Sequence, residues 1–164
     1  MTDRQRDGGI DEVPLPAGVP GRLWLCGKLA IGPQRFADPA MPWSTVVCLC
    51  ERHELAERYP AYVDWLESDG SAAIWWPIPD MYAPPVDVAL PFVDDLATRL
   101  RAGDRLLVHC AAGIGRSGTT AVCVLVRLGL PSADAEAAVG EARALAGPET
   151  GAQRDLVDAV ASRS

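Results

Sequence analysis

The stretch His109-Cys110-Ala111-Ala112-Gly113-Ile114-Gly115-Arg116-Ser117-Gly118-Thr119-Thr120 (HCAAGIGRSGTT) decides how this chain is read. From Gly113 to Gly118 it spells G-x-G-x-x-G, the glycine pattern of dinucleotide-binding turns. Taken from Cys110, the same stretch is a cysteine followed six positions later by Arg116. The first reading is a cofactor loop. The second is a nucleophile beneath an anion site.

A dinucleotide loop needs a strand, the glycines, a helix, and then a second strand ending in an acidic residue about 20 residues on. Arg105–His109 (RLLVH) reads as a short buried strand, and a helix apolar nearly all round follows from Ser117. The second strand is missing. Its place is taken by SADAEAAVGEARAL, which is itself helical, so Asp134 and Glu136 fall at a helix start. A G-x-x-x-x-G-K-[ST] phosphate loop occurs nowhere in the chain.

The anion reading uses every residue of the stretch. Successive backbone N–H groups in a strand-to-helix turn form a nest for an anion, and the helix N-terminus adds partial positive charge. Gly113, Gly115 and Gly118 permit the backbone angles and the close approach. The planar fork of Arg116 suits two phosphate oxygens. Helix termini and cations favour the thiolate of a cysteine, which makes Cys110 a nucleophile aimed at phosphorus.

His109 to Gly118 resembles the H-C-x-x-G-x-x-R-[ST]-G signature of the cysteine-dependent protein tyrosine phosphatases, and the chain's small size resembles their atypical dual-specificity branch. The resemblance covers about Gly21 to Val157. It implies an α/β fold, a central mostly parallel sheet flanked by helices, in one phosphatase domain over residues 21–164. It also implies phosphomonoester hydrolysis through a cysteinyl-phosphate, with no cofactor and no metal. Phosphate would be bound by Ala111, Ala112, Gly113, Ile114, Gly115 and Arg116. A general acid is needed for the leaving oxygen, and Asp80 in WWPIPDMYAPP resembles the family's acid-loop aspartate. Asp87 competes, but it opens the next helix as first-turn charge. By the same resemblance Gln153 positions the hydrolytic water, Ser117 stabilises the departing thiolate, and His109 orders the loop. Cys50 matches the strand cysteine that in several relatives protects the catalytic one through a reversible disulfide.

The remaining pattern agrees with alternating strands and helices. Strands are expected at Arg22–Cys26, Thr45–Cys50 and Ala72–Trp76, and helices at His53–Ser68 (interrupted at Pro60), Val86–Ala102, Ala133–Leu145 (capped by Ser132) and Thr150–Ala161. Residues 1–20 are polar and rich in Gly and Pro, which predicts a loose arm. Cys48, Cys50 and His53 together could hold a metal, but a buried strand with no fourth ligand at hand speaks against it.

Composition narrows the function further. The net charge of −7 speaks against a nucleic-acid partner and an anionic membrane surface. Five scattered cysteines and a polar start without an apolar leader point to a reduced, cytoplasmic protein, expected as a monomer. Ala111, Ala112 and Ile114 bring no cation to the loop, so the substrate expected is a monophosphate such as phosphotyrosine, with phosphoserine or phosphothreonine as further protein substrates. A non-protein phosphomonoester (an inositol phosphate or nucleotide) and a phosphate-binding pseudophosphatase are the alternatives.

Overall fold

The computed structural model describes residues 1–163. Its strands are β1 (Ile10–Val13), β2 (Arg22–Gly27), β3 (Thr45–Cys48), β4 (Ala73–Trp75) and β5 (Arg105–Cys110). Its helices are α1 (Asp3–Asp7), α2 (Lys28–Ile31), α3 (Pro60–Glu67), α4 (Val86–Arg101), α5 (Gly115–Arg127), α6 (Ser132–Ala142) and α7 (Gly151–Ser162). The strands form one sheet in the order β1-β2-β5-β3-β4, parallel throughout except for the antiparallel edge strand β1. This is the mixed α/β, mostly parallel architecture the sequence predicts.

Alternation along the strands divides the core in two. Leu23, Leu25, Val47, Leu106, Val108 and Cys110 pack on one face, with residues of α4, α5, α6 and α7. Trp24, Cys26, Val46, Cys48 and Leu107 pack on the other, with Ile31 and the α3 residues Tyr62, Val63 and Leu66. Helix α5 is buried from Gly115 to Val126, because it is wrapped by α4, α6 and α7 and rests on β5. Its first turn is thus locked where β5 ends.

Several boundaries differ from the sequence expectation. Residues 1–20 do not behave as a loose arm: Ile10–Val13 pair with Leu23–Cys26, and Asp7 and Val13 are buried. Gly and Pro counts conceal this, because the strand is only four residues long. Pro60 starts α3 instead of interrupting a longer helix, a position where its missing N–H is harmless. Strand β3 stops at Cys48, after which Trp76 and Ile78 N–H groups bond to the carbonyls of Cys48 and Leu49. Ser132 is the first residue of α6 rather than its cap, and the helix ends at Ala142 because Arg143 is extended. Among the described residues no helix is long and apolar enough to cross a membrane.

Candidate active site

The loop between β5 and α5 is held entirely from outside. The Ala111 carbonyl accepts from Lys28 N–H, those of Ala112 and Gly113 from the Arg143 guanidinium, and that of Ile114 from the N–H groups of Gly118 and Gly147. In a planar trans peptide the carbonyl and the following N–H point in opposite directions. Fixing these carbonyls outward therefore turns the N–H groups of Ala112, Gly113, Ile114 and Gly115 toward the inner side of the loop. Gly113 makes the turn possible with φ of 76°, and a Cβ there would collide with the backbone of Cys26.

Cys110 ends β5 at the base of this cradle and is only 3% exposed. Its Sγ lies 3.2 Å from Ser117 Oγ, which comes from the first turn of α5. His109 points to the other face of the sheet, as strand alternation requires. Its Nε2 is 2.6 Å from the Tyr62 hydroxyl, and its Nδ1 is 3.1 Å from the Cys110 carbonyl. These two bonds fix the imidazole and, through the carbonyl, the peptide that leads into the loop.

Arg116 is held by Glu54, whose Oε1 and Oε2 accept from Nη2 and Nη1 at 2.7 and 2.8 Å, while Nη1 also donates to the Ile78 carbonyl. Its Nε is buried without a partner among the described residues. The guanidinium thus spends its outer edge on Glu54, and Nε, with the side of Nη2 that Asp80 approaches, makes the edge that faces an anion. Burial alone would disfavour the Arg116 charge, but the Glu54 hydrogen bond, with the charges of Cys110 and Glu54, more than offsets it and raises the guanidinium above its ordinary range. Burial likewise opposes the Glu54 carboxylate. The hydrogen bonds from Arg116 and the Glu51 N–H, together with the charges of Arg116 and Lys28, outweigh it and hold this carboxyl below the usual range.

Asp80 reaches the same place from the segment after β4. Its Oδ1 is 3.3 Å from Arg116 Nη2, and the carboxylate is 67% exposed at the mouth. The segment is anchored by Ile78, whose N–H bonds to Leu49 and whose carbonyl accepts from Arg116. Met81 follows in a left-handed conformation at φ of 63°, and its N–H closes onto the Asp80 carboxylate. Asp87 lies elsewhere, in the first turn of α4, paired with Arg163. Trp76 and Tyr82 line a narrow cleft beside Arg116, whereas Trp75 donates to the Cys50 carbonyl.

Gln153, in the first turn of α7, is buried against the start of α5: a Cβ on Gly115 would lie 3.3 Å from its Nε2. Its Oε1 accepts from Glu149 N–H at 2.8 Å, and its Nε2 has no partner among the described residues. A buried amide donor without a partner beside an anion loop is free for a ligand or water.

Cys50 lies with the core on the α3 face, while Cys110 lies with the core on the opposite face. All five cysteines are free and buried. A hydrogen bond with Cys48, then burial, push the Cys50 thiol far up and keep it protonated. His53 does not join these cysteines, being 76% exposed on the surface. His109 takes its place: ligand atoms of Cys48, Cys50 and His109 lie within 4.8 Å of one another. Both His109 ring nitrogens already have partners, so the grouping is satisfied as a buried hydrogen-bonded cluster.

Glu54, Tyr62 and Arg143 escape the sequence reading. Each sits in an ordinary-looking segment (ERHEL, PAYVDW, EARALAG) and acquires its role through long-range contact. No spacing rule links them to Cys110.

A buried cysteine under a strand-to-helix anion loop, in this sheet order, defines the cysteine-dependent protein tyrosine phosphatase superfamily, and the fold is shared with human DUSP28 at 21% identity, a likeness of fold alone. Within it, the chain belongs to the cyclin-dependent kinase inhibitor 3 (CDKN3) family, which it matches over residues 40–138. Cyclin-dependent kinase inhibitor 3 of Rattus norvegicus is 34% identical over 84 residues, 51% of this chain and 40% of that protein. The human protein of the same name is 31% identical over the same length. The match therefore spans about 40% of these relatives' length. Among solved structures, Tk-PTP in its active form superposes with a TM-score of 0.70 at 26% identity, covering 94% of this chain and 98% of that one. Kinase associated phosphatase (KAP) with its catalytic cysteine changed to serine gives 0.74 at 20% identity and 94% of each chain, a likeness of fold alone.

Proposed function

We propose that this protein hydrolyses phosphomonoesters with Cys110 as nucleophile, and that its substrate is a phosphorylated protein, phosphotyrosine first. The observation that supports the reading is the loop after Cys110, whose carbonyls at 111–114 are all taken up by hydrogen bonds, which leaves its N–H groups for an anion beside the Cys110 thiol.

The phosphate binds to those N–H groups and to the Nε/Nη2 edge of Arg116, donors aimed where charge develops in the transition state. The Cys110 thiolate attacks phosphorus: an S–P bond forms as the P–O bond to the leaving group breaks. Asp80 gives its proton to the leaving oxygen. Asp80, now a carboxylate, then takes a proton from water as that water attacks phosphorus, with Gln153 orienting it. The S–P bond breaks, phosphate leaves, and Ser117 Oγ donates to the restored thiolate.

The loop suits a single phosphate, because Ala111, Ala112 and Ile114 carry no charge and the chain's one lysine, Lys28, is turned to the Glu54 carbonyl. The relatives' name, cyclin-dependent kinase inhibitor 3, agrees with a protein partner. We further propose a cytoplasmic monomer that uses neither nucleic acid nor membrane.

Aryl phosphate hydrolysis by wild type and Asp80→Asn, with a chelator present, tests the reaction. The expected result is loss of about 10²–10⁴ in turnover on removing the acid. Undiminished turnover in Asp80→Asn, or a requirement for added metal, sinks the mechanism. A panel of phosphotyrosine peptides, phosphothreonine peptides and inositol phosphates then decides the substrate class.

A further inference from the structure

Two of the loop carbonyls that face outward are held by one side chain, and that side chain ties the loop to the N-terminal segment. Arg143 is 6% exposed. It lies just past α6, where an extended backbone carries the guanidinium back under the loop. On one side Nε donates to the Gly113 carbonyl and Nη2 to the Ala112 carbonyl, both at 2.9 Å. On the other side Nη1 faces the Gly8 and Gly9 carbonyls at 3.1 Å and Asp11 Oδ2 at 2.8 Å.

The N-terminal segment is shaped to present those acceptors. Gly8 and Gly9 both have left-handed φ, 82° and 75°, which turns their carbonyls to one side. Asp7 holds the turn by accepting from Gly9 N–H and from Arg35, each at 2.9 Å. Burial opposes its carboxylate, but these bonds outweigh burial and keep it below the ordinary range. Strand β1 then fixes the segment beside β2, with Ile10 opposite Cys26.

We propose that Arg143 is a positioning residue for the phosphate loop and that residues 7–11 are a working part of the site. With both carbonyls held outward, the N–H groups of Gly113 and Ile114 face the phosphate. Without Arg143, the peptide between Ala112 and Gly113 is free to rotate, since a glycine tolerates either orientation. Rotation would present a carbonyl oxygen to the phosphate and turn an attraction into a repulsion. Asp11 and the carbonyls of Gly8 and Gly9 keep the guanidinium satisfied and aimed.

The activity arm of the test rests on the phosphatase reading; the binding arm does not. Full-length wild type, Arg143→Lys, Asp11→Asn, the double variant and Glu12→Gln are compared well below each protein's unfolding midpoint. Tungstate binding is measured by calorimetry and aryl phosphate hydrolysis by kcat and KM. A lysine ammonium cannot span both carbonyls and Asp11, so Arg143→Lys is expected to weaken tungstate binding about tenfold, about 1.4 kcal/mol, and to lower kcat. Asp11→Asn is expected to weaken it about threefold, with little further loss in the double variant, because the residues act as one unit. Glu12 is on the same strand but pairs with exposed Arg22, so Glu12→Gln is expected to match wild type. Tungstate affinity that stays within about twofold of wild type in both Arg143→Lys and Asp11→Asn overturns the inference, leaving a stabilising contact only. Should Arg143→Lys fail to fold, Asp11→Asn alone decides. Wild type that binds tungstate without hydrolysing ester refutes the phosphatase reading while the binding series still decides the role of Arg143. Wild type that binds no tungstate refutes both.

Discussion

Replacing Glu54 with glutamine removes the carboxylate that holds Arg116 and leaves its shape almost unchanged. The pair is well enclosed, with the Arg116 side chain 1% and the Glu54 side chain 11% exposed. Two charge-assisted hydrogen bonds join them at 2.7 and 2.8 Å. Each such bond contributes about 1.5–3 kcal/mol. Glutamine keeps one acceptor and the Ile78 carbonyl keeps another, so the net loss is about 2 kcal/mol, below the range of about 3–5 for a fully buried pair losing one partner. In a chain of this size that lowers the unfolding midpoint by about 4–8 °C. Thermal unfolding at pH 7 measures the midpoint and urea unfolding the free-energy gap, and a second urea series on lowering pH supplies an independent check. The Glu54 carboxyl lies lower in the folded protein than in the unfolded chain. Its contribution is therefore complete above the unfolded value, about pH 4.3, and is lost as pH falls through the folded value. The stability gap between wild type and Glu54→Gln is expected to narrow across that acid window. A misaimed Arg116 also lowers kcat/KM by about tenfold or more. A gap under about 0.5 kcal/mol at pH 7, or one that does not narrow in acid, would refute the reasoning.

Three further outcomes are expected. Gly113→Ala forces a Cβ onto the backbone of Cys26 at a left-handed φ, so it loses at least about 1 kcal/mol in urea unfolding and binds tungstate poorly; retained tungstate affinity would show that the loop backbone is not the cradle. Gln153→Ala slows phosphocysteine hydrolysis more than its formation, visible as a larger burst in pre-steady-state assays, and an unchanged burst removes the water-positioning role. Mild peroxide is expected to inactivate wild type through a Cys110 sulfenic acid that dithiothreitol reduces. Because Cys50 packs with the opposite core and its thiol is held protonated, Cys50→Ser is expected to recover as wild type does, and irreversible loss in that variant would assign Cys50 the protective disulfide that the resemblance implies.

The parts of the account legible in sequence are those carried by local pattern. RLLVHC, RLWLC and TVVC are short apolar runs, as buried parallel strands require, and they pair side by side. The loop motif fixed attention on Cys110, Arg116 and Ser117 because their spacing has no packing rationale, and they converge within one turn. Asp80 was reachable only through resemblance, since a single aspartate among prolines has a plain turn interpretation. Glu54 and Arg143 were not legible at all. Glu54 lies 62 residues from Arg116, and Arg143 bonds to carbonyls 30 and 31 residues before it and to Asp11 132 residues before it. Such contacts have no period. The N-terminal strand was hidden for a different reason: flanking glycines and prolines dominate its composition, while its pairing is supplied by β2.

The central claim is that phosphorus is transferred to the sulfur of Cys110. Wild type and Cys110→Ser, each mixed with aryl phosphate, quenched in acid during turnover and digested, can be compared by peptide mass. The account predicts one added phosphoryl group on the wild-type peptide carrying Cys110, and neither adduct nor turnover in Cys110→Ser. Turnover without a phosphoryl group on that peptide, or turnover that persists in Cys110→Ser, would contradict it.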